Sequence, residues 1–154
     1  MKNLLLSIVK TRPCWAALIT RLTLALVMFP HGAQKLLGWF GGPGLQNTIE
    51  VFTRDLHLPH LLVWLILAVE FLGPMSLLLG LLTRISALGF IGIMVGAISL
   101  VHCHNGFFMN WSGHQKGEGF EYHILVLGLA LATLIIGGGK ASIDYWLTSR
   151  FLKK

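Results

Sequence analysis

The sequence predicts an all-α integral membrane protein, a four-helix bundle, and three observations carry that reading. The 154-residue chain is 55% hydrophobic and 12% charged, with a mean hydropathy of +0.73. A soluble domain needs about a quarter of its residues charged to cover its surface, so this outer surface meets lipid. Four apolar segments approach the length of a bilayer's hydrocarbon core. Finally, the 12 Lys and Arg residues gather at the chain ends and in short connections rather than along one face.

The first segment, residues 13–30, opens at Pro13, a residue suited to the first turn of a helix, and carries Arg21 inside it. About 18 residues at a rise of about 1.5 Å give about 27 Å, enough to cross. The second, residues 61–82, is the longest and contains Glu70 and Pro74; the third, residues 85–101, is uncharged. The fourth, about residues 120–137, spans only if Glu121 and His123 lie at the interface. With no internal repeat, the whole of 1–154 reads as one transmembrane domain. Met1–Lys10 holds an apolar run of six residues, Leu4–Val9, too short for a signal-peptide core, so a short interfacial helix is expected there.

Orientation follows from the basic residues of the short connections. Lys2, Lys10, Arg12, Arg84, Lys140, Arg150, Lys153 and Lys154 fall on one side against Lys35, Arg54 and Lys116 on the other, eight against three. Both termini are therefore expected in the cytoplasm. The connections alternate: Thr83 and Arg84 make a tight turn, whereas 31–60 and 102–119 are long and polar. In the first long connection the breaker Gly41-Gly42-Pro43-Gly44 precedes Ile49, Val51, Phe52 and Leu56 spaced among Glu50, Arg54 and Asp55, the pattern of an amphipathic helix on the outer interface. The net charge of +6 does not indicate nucleic acid, because no basic stretch is interleaved with exposed aromatics.

An ionisable group inside a span costs a few kcal/mol and faces a partner or a cavity. Arg21 and Glu70 are the clearest cases, and their depths, about 12 and about 18 Å from the inner side, predict a buried ion pair. Such a pair either fixes helix register without chemistry or belongs to a ligand or proton site. Arg21, Ala25, Met28, Gly32 and Lys35 share a face if the first helix continues past Pro30, and Lys35 is the next candidate partner for Glu70. Gly73 and Gly80 share the Glu70 face, and Gly92 with Gly96 forms a GxxxG pair, all read as close helix-packing positions. Glu121 is expected at the outer end of the bundle. Arg21, Lys35, Glu70 and Glu121 are thus the candidate ligand-binding residues.

All seven histidines, His31, His57, His60, His102, His104, His114 and His123, fall on the outer side in this topology. His102-Cys103-His104 invites a metal or haem reading, with His102 and His104 as the ligands. Consecutive helical residues point about 100° apart, which argues against one ion reaching all three unless the helix has unwound; the competing reading is a polar, pH-responsive rim. Cys14 and Cys103, placed on opposite sides, form no disulfide framework. No phosphate-binding glycine loop, nucleophile elbow or zinc-protease signature occurs, which excludes the common hydrolase classes.

Taken together, Arg21, the run His31-Gly32-Ala33-Gln34-Lys35-Leu36, Glu70 followed by Gly73, Gly80-Leu81-Leu82-Thr83-Arg84 and Gly137-Gly138-Gly139-Lys140-Ala141-Ser142-Ile143-Asp144 resemble, in order and spacing, the DoxX family of small four-helix membrane proteins. The resemblance implies an inner-membrane protein tied to quinone-linked oxidoreductase systems that handle sulfur or oxidative stress. Quinone is the cofactor it implies. The chain lacks the domain that carries a flavin or an iron–sulfur cluster, so the expected part is a subunit or partner without its own redox centre. The expected partners are the lipid bilayer, subunits of a membrane redox complex and, as an option, a second copy of the chain. The competing function is a non-enzymatic assembly partner or a small transporter organised by the Arg21–Glu70 pair.

Overall fold

The computed structural model describes residues 8–152, and no strand occurs among them. The interfacial helix expected over Met1–Lys10 lies mostly outside the described residues, as do Lys2, Lys153 and Lys154. Six α-helices follow in order: α1 Trp15–Leu37, α2 Gly44–Glu50, α3 His60–Leu79, α4 Thr83–Ala97, α5 Glu121–Ile136 and α6 Ile143–Leu152. Helices α1, α3, α4 and α5 close a ring in which α1 packs on α3 and α5, and α4 packs on α3 and α5. This is the expected all-α membrane four-helix bundle. With Asn105 ending the run that continues α4, three helices are long and apolar enough to cross a membrane, Trp15–Leu37, His60–Leu79 and Thr83–Asn105; Glu121–Ile136 is the shorter apolar fourth.

The boundaries differ from expectation at one informative place. Pro30 does not end α1, which runs on to Leu37 and stops at Gly38, whose left-handed φ of 70° forms the cap. A proline inside a helix removes one backbone bond, and membrane helices tolerate it when neighbours satisfy the freed carbonyl. The extra turns carry His31, Gly32 and Lys35 on the same helix as Arg21. Beyond α4 the chain widens into a π-turn, Ile98–His102, before Cys103–Asn105. A helix is present in the first loop as expected, as α2 followed by the π-turn Val51–Asp55.

The core is Leu24, Ala25 and Met28 of α1, Leu77 of α3, Phe90 and Met94 of α4, and Val126 and Ala130 of α5. Outside it the helices present leucines: Leu26 is 75% and Leu125 70% exposed, which makes sense only against hydrocarbon. Two glycines set the α1–α3 and α3–α4 distances. A Cβ on Gly32 would run into the Glu70 backbone, and one on Gly73 would sit 2.9 Å from the Phe90 ring. Gly80 also packs tightly, against Ser142. Gly92 and Gly96 do not: a Cβ at either meets nothing within 4 Å. Their expected packing role is not realised among the described residues, because the α4 face that packs is the one bearing Ser86, Phe90 and Met94.

At the end of the bundle that holds the α3–α4 turn, every buried side-chain nitrogen and oxygen of the described residues finds a partner. The Arg21 guanidinium donates from Nε to the Gly138 carbonyl at 2.9 Å, from Nη1 to the Leu77 and Leu78 carbonyls at 2.5 and 2.9 Å, and from Nη2 to the Ala141 carbonyl at 2.7 Å. Two of these acceptors end α3, where carbonyls lack helical partners and the helix dipole is negative. Asp144, fully buried, accepts from the Leu82 N–H at 2.9 Å, the Thr83 N–H at 2.9 Å and the Thr83 hydroxyl at 2.7 Å. It therefore caps α4 from α6 and holds Leu82 in its left-handed conformation, φ 51°. Thr11 accepts from the Gly139 N–H at 2.6 Å, and Arg84 donates to the Lys10 and Ile135 carbonyls at 3.1 and 3.0 Å.

Candidate functional site

The expected Arg21–Glu70 ion pair does not form. Gly32, not Arg21, lies at the level of Glu70, and the 11 residues from Arg21 to Gly32 amount to about 16 Å along a helix, beyond the reach of the side chains. Depths taken from the inner ends of the two spans miss the offset of the helices, which sets Arg21 level with Leu77 and Leu78, and carbonyls able to satisfy Arg21 leave no mark in a sequence. Glu70 instead pairs with Lys35, the second candidate, with Lys35 Nζ 2.5 Å from Glu70 Oε1. The carboxylate is 2% exposed and the lysine side chain 27%, so one partner is sealed in the bundle and the other reaches its rim.

Around that pair the end of the bundle opposite the α3–α4 turn gathers polar side chains from four helices. His31 and Lys35 come from α1, Glu70 from α3, Tyr122 and His123 from α5, and His102 from the π-turn that continues α4. The spacing of Met28, His31 and Lys35, three and four residues apart, places them on one helical face. The Tyr122 hydroxyl lies 3.3 Å from His31 Nε2 and 3.6 Å from the Met28 sulfur. The rings of His102 and His123 stand 4.1 Å apart, centroid to centroid, and His102 Nδ1 is 2.8 Å from the Glu118 carbonyl. Ring centroids lie 5.7 Å apart for His31 and Tyr122 and 5.5 Å apart for Tyr122 and His123, and His31 sits one helical turn from Lys35, so the six groups form one cluster.

Two atoms in it are buried without a hydrogen-bond partner, Glu70 Oε2 and His123 Nδ1. A buried carboxylate oxygen left unmatched costs about 1–3 kcal/mol or more, and such exceptions call for a role. Because Lys35 holds Oε1, Oε2 is the acceptor that the cluster leaves unused. The donor and acceptor set fits a small oxygen-bearing headgroup: Lys35 has donors beyond the one given to Glu70, Tyr122 and the histidines both donate and accept, and Glu70 Oε2 accepts.

The remaining candidates lie apart. Arg21 serves the opposite end. Glu121 accepts from the Met109 N–H at 3.1 Å and from Trp111 Nε1 at 3.2 Å, which ties down the loop between α4 and α5. His104 is exposed while His102 turns to His123, so the two proposed metal ligands do not converge. Among the described residues no group of three or more His, Cys, Asp or Glu side chains is arranged to hold a metal ion. Sequence reasoning missed Tyr122 and treated His31 and His123 only as members of a rim. The signal for His31 was present, three residues after Met28 and four before Lys35; Tyr122 left none, since its role depends on how α5 packs on α1.

No solved structure matches this chain. A relative from Bacillus subtilis (strain 168), named "Putative oxidoreductase CatD", is 29% identical over 115 residues, covering 75% of each chain. The DoxX family model matches residues 16–103, more than half of the sequence and the part that carries Arg21, His31, Lys35 and Glu70, and this protein belongs to the DoxX family.

Proposed function

We propose that this chain is a multi-pass inner-membrane protein, with both termini cytoplasmic, that serves as the membrane subunit or partner of a quinone-linked oxidoreductase handling sulfur or oxidative-stress chemistry. The observation that carries the reading is the pair of orphaned polar atoms, Glu70 Oε2 and His123 Nδ1, buried inside a lipid-facing bundle beside the Lys35–Glu70 ion pair. Ionisable groups kept at such a cost in a membrane belong by default to substrate, ion or proton sites. Family membership and the name of the Bacillus relative support the redox setting.

A quinone supplies two-electron, two-proton carriage within the bilayer. Lys35, His31 and Tyr122 are the residues whose donors suit its oxygens. Glu70 and His123 are the groups able to take or give a proton at Oε2 and Nδ1. Lys35 keeps the Glu70 carboxylate oriented through Oε1, and its partly exposed stem links the cluster to the rim. The His102–His123 pair and the Glu118 carbonyl continue the polar contacts toward the loop. The leucine-rich exterior and the core of Met28, Phe90 and Met94 keep bulk water out below this level.

The test is gentle extraction of the native protein, mass spectrometry of the lipids that stay with it, and identification of co-purifying chains. Quinone enriched over the bulk membrane, and lost when Glu70→Gln is extracted in parallel, supports the proposal. A stable complex with no quinone enrichment and no redox subunit points instead to the assembly-partner reading.

A further inference from the structure

Resting on the quinone reading above, we infer that the Glu70 cluster is a hydroquinone site: it holds the reduced, two-hydroxyl form of a quinone more tightly than the oxidised form. The inference comes from the direction of the hydrogen bonds. Lys35 Nζ stands 2.5 Å from Glu70 Oε1 as the cation of an ion pair, so the carboxylate is an acceptor at both oxygens. Its Oε2 is buried with no donor facing it. The Tyr122 hydroxyl donates to the Met28 sulfur at 3.6 Å and lies 3.3 Å from His31 Nε2, and its two lone pairs leave acceptor capacity to spare.

What is missing here is a donor to Glu70 Oε2, and that distinguishes the two ligand forms. A quinone offers only carbonyl oxygens, which Lys35 can address but which leave Oε2 unmatched. A hydroquinone donates an O–H to Oε2 while its oxygens still accept from Lys35. The reduced form thus gains one charge-assisted hydrogen bond, among the strongest in proteins. A site with this preference makes the bound quinone easier to reduce, because tighter holding of the product raises the reduction potential of the couple. For a two-electron couple a tenfold difference in affinity is about 30 mV.

The experiment uses the full chain in lipid nanodiscs under anaerobic conditions, with a decyl-tailed benzoquinone and its hydroquinone as the probes. Binding is read as the ligand-dependent rise in Tm, and the potential of the bound couple by redox titration. The expected result is half-saturation by the hydroquinone at a concentration at least about tenfold lower and a potential raised by about 30 mV or more over the same probe in empty nanodiscs. Glu70→Gln, which places an amide where the carboxylate was, should shrink or reverse the ratio. If that variant does not fold, the charge-neutral double variant Lys35→Gln/Glu70→Gln should do the same. Equal affinities, or tighter binding of the quinone, overturn the inference while leaving the quinone reading standing. Binding of neither form overturns both, and an unchanged ratio in the folded variants shows that Glu70 is not the discriminating group.

Discussion

Among the described residues Arg21 makes the most side-chain hydrogen bonds, and replacing it is a severe perturbation. Of its four acceptor carbonyls, that of Leu77 also receives the Gly80 N–H at 3.1 Å and keeps a partner when the guanidinium is gone. Gly138, Leu78 and Ala141 depend on Arg21, the first in a buried contact and the other two in part-buried ones. At about 1–3 kcal/mol for each orphaned acceptor, with the lower end applying where water has access, Arg21→Gln should cost about 3–5 kcal/mol. Detergent-extracted thermal unfolding reads that loss directly. The same assay, run as a double-mutant cycle, tests the assignment. Arg21 and Glu70 share no partner, so their losses should add to within about 0.5 kcal/mol, whereas Lys35→Gln and Glu70→Gln should show coupling above about 1 kcal/mol. Strong coupling between positions 21 and 70 would refute the clamp and restore the ion pair expected from the sequence.

Two further outcomes are expected. Gly32→Ala should lower stability by about 1–3 kcal/mol or more, since the colliding neighbour is the Glu70 backbone, while Gly92→Ala and Gly96→Ala should stay within about 0.5 kcal/mol of the parent in detergent monomers; a large loss at the latter two would reveal a contact beyond this chain. Reporter fusions should place His57 and Lys116 outside and Arg84 inside, and an outside signal at Lys154 would overturn the orientation drawn from the basic residues.

Much of the architecture was legible in the sequence because spanning length and apolar character are one-dimensional properties. The four bundle helices and the helix α2 follow from run lengths, breakers and charge placement alone, while the tight turn expected at Thr83 and Arg84 falls just before them, at residues 80–82, because both residues open α4. The errors came where geometry perpendicular to the helix axis decides. Pro30 carries the sequence mark of a stop, yet the cap is Gly38, because a membrane helix tolerates a missing backbone bond better than an early exit of its chain into lipid. Gly92 and Gly96 match a packing motif, but their face of α4 points away from the bundle. Arg21 and Glu70 attracted each other on paper because charges are visible in a sequence and carbonyl clusters are not. Lys35 was readable as the alternative, being on the correct face of α1, and only the level of Gly32 against Glu70 decides between the two.

The bundle is asymmetric in a way that separates structural from functional charge. At the end bearing the α3–α4 turn, Arg21 and Asp144 are buried and matched, one against carbonyls and the other against N–H and hydroxyl donors, and together they bind α6 and the glycine-rich segment before it to that turn. Such satisfied networks rigidify a fold and leave nothing to offer a ligand. At the opposite end the Lys35–Glu70 pair is similarly placed, but Glu70 Oε2 and His123 Nδ1 remain unmatched. Stability alone does not account for that second arrangement, because an apolar pair of similar volume would be at least as stable in the same position. The polar groups that a membrane bundle keeps without satisfying them are therefore the ones to examine for chemistry, and here they lie on one side of Gly32, at the end where α1, α3 and α5 meet.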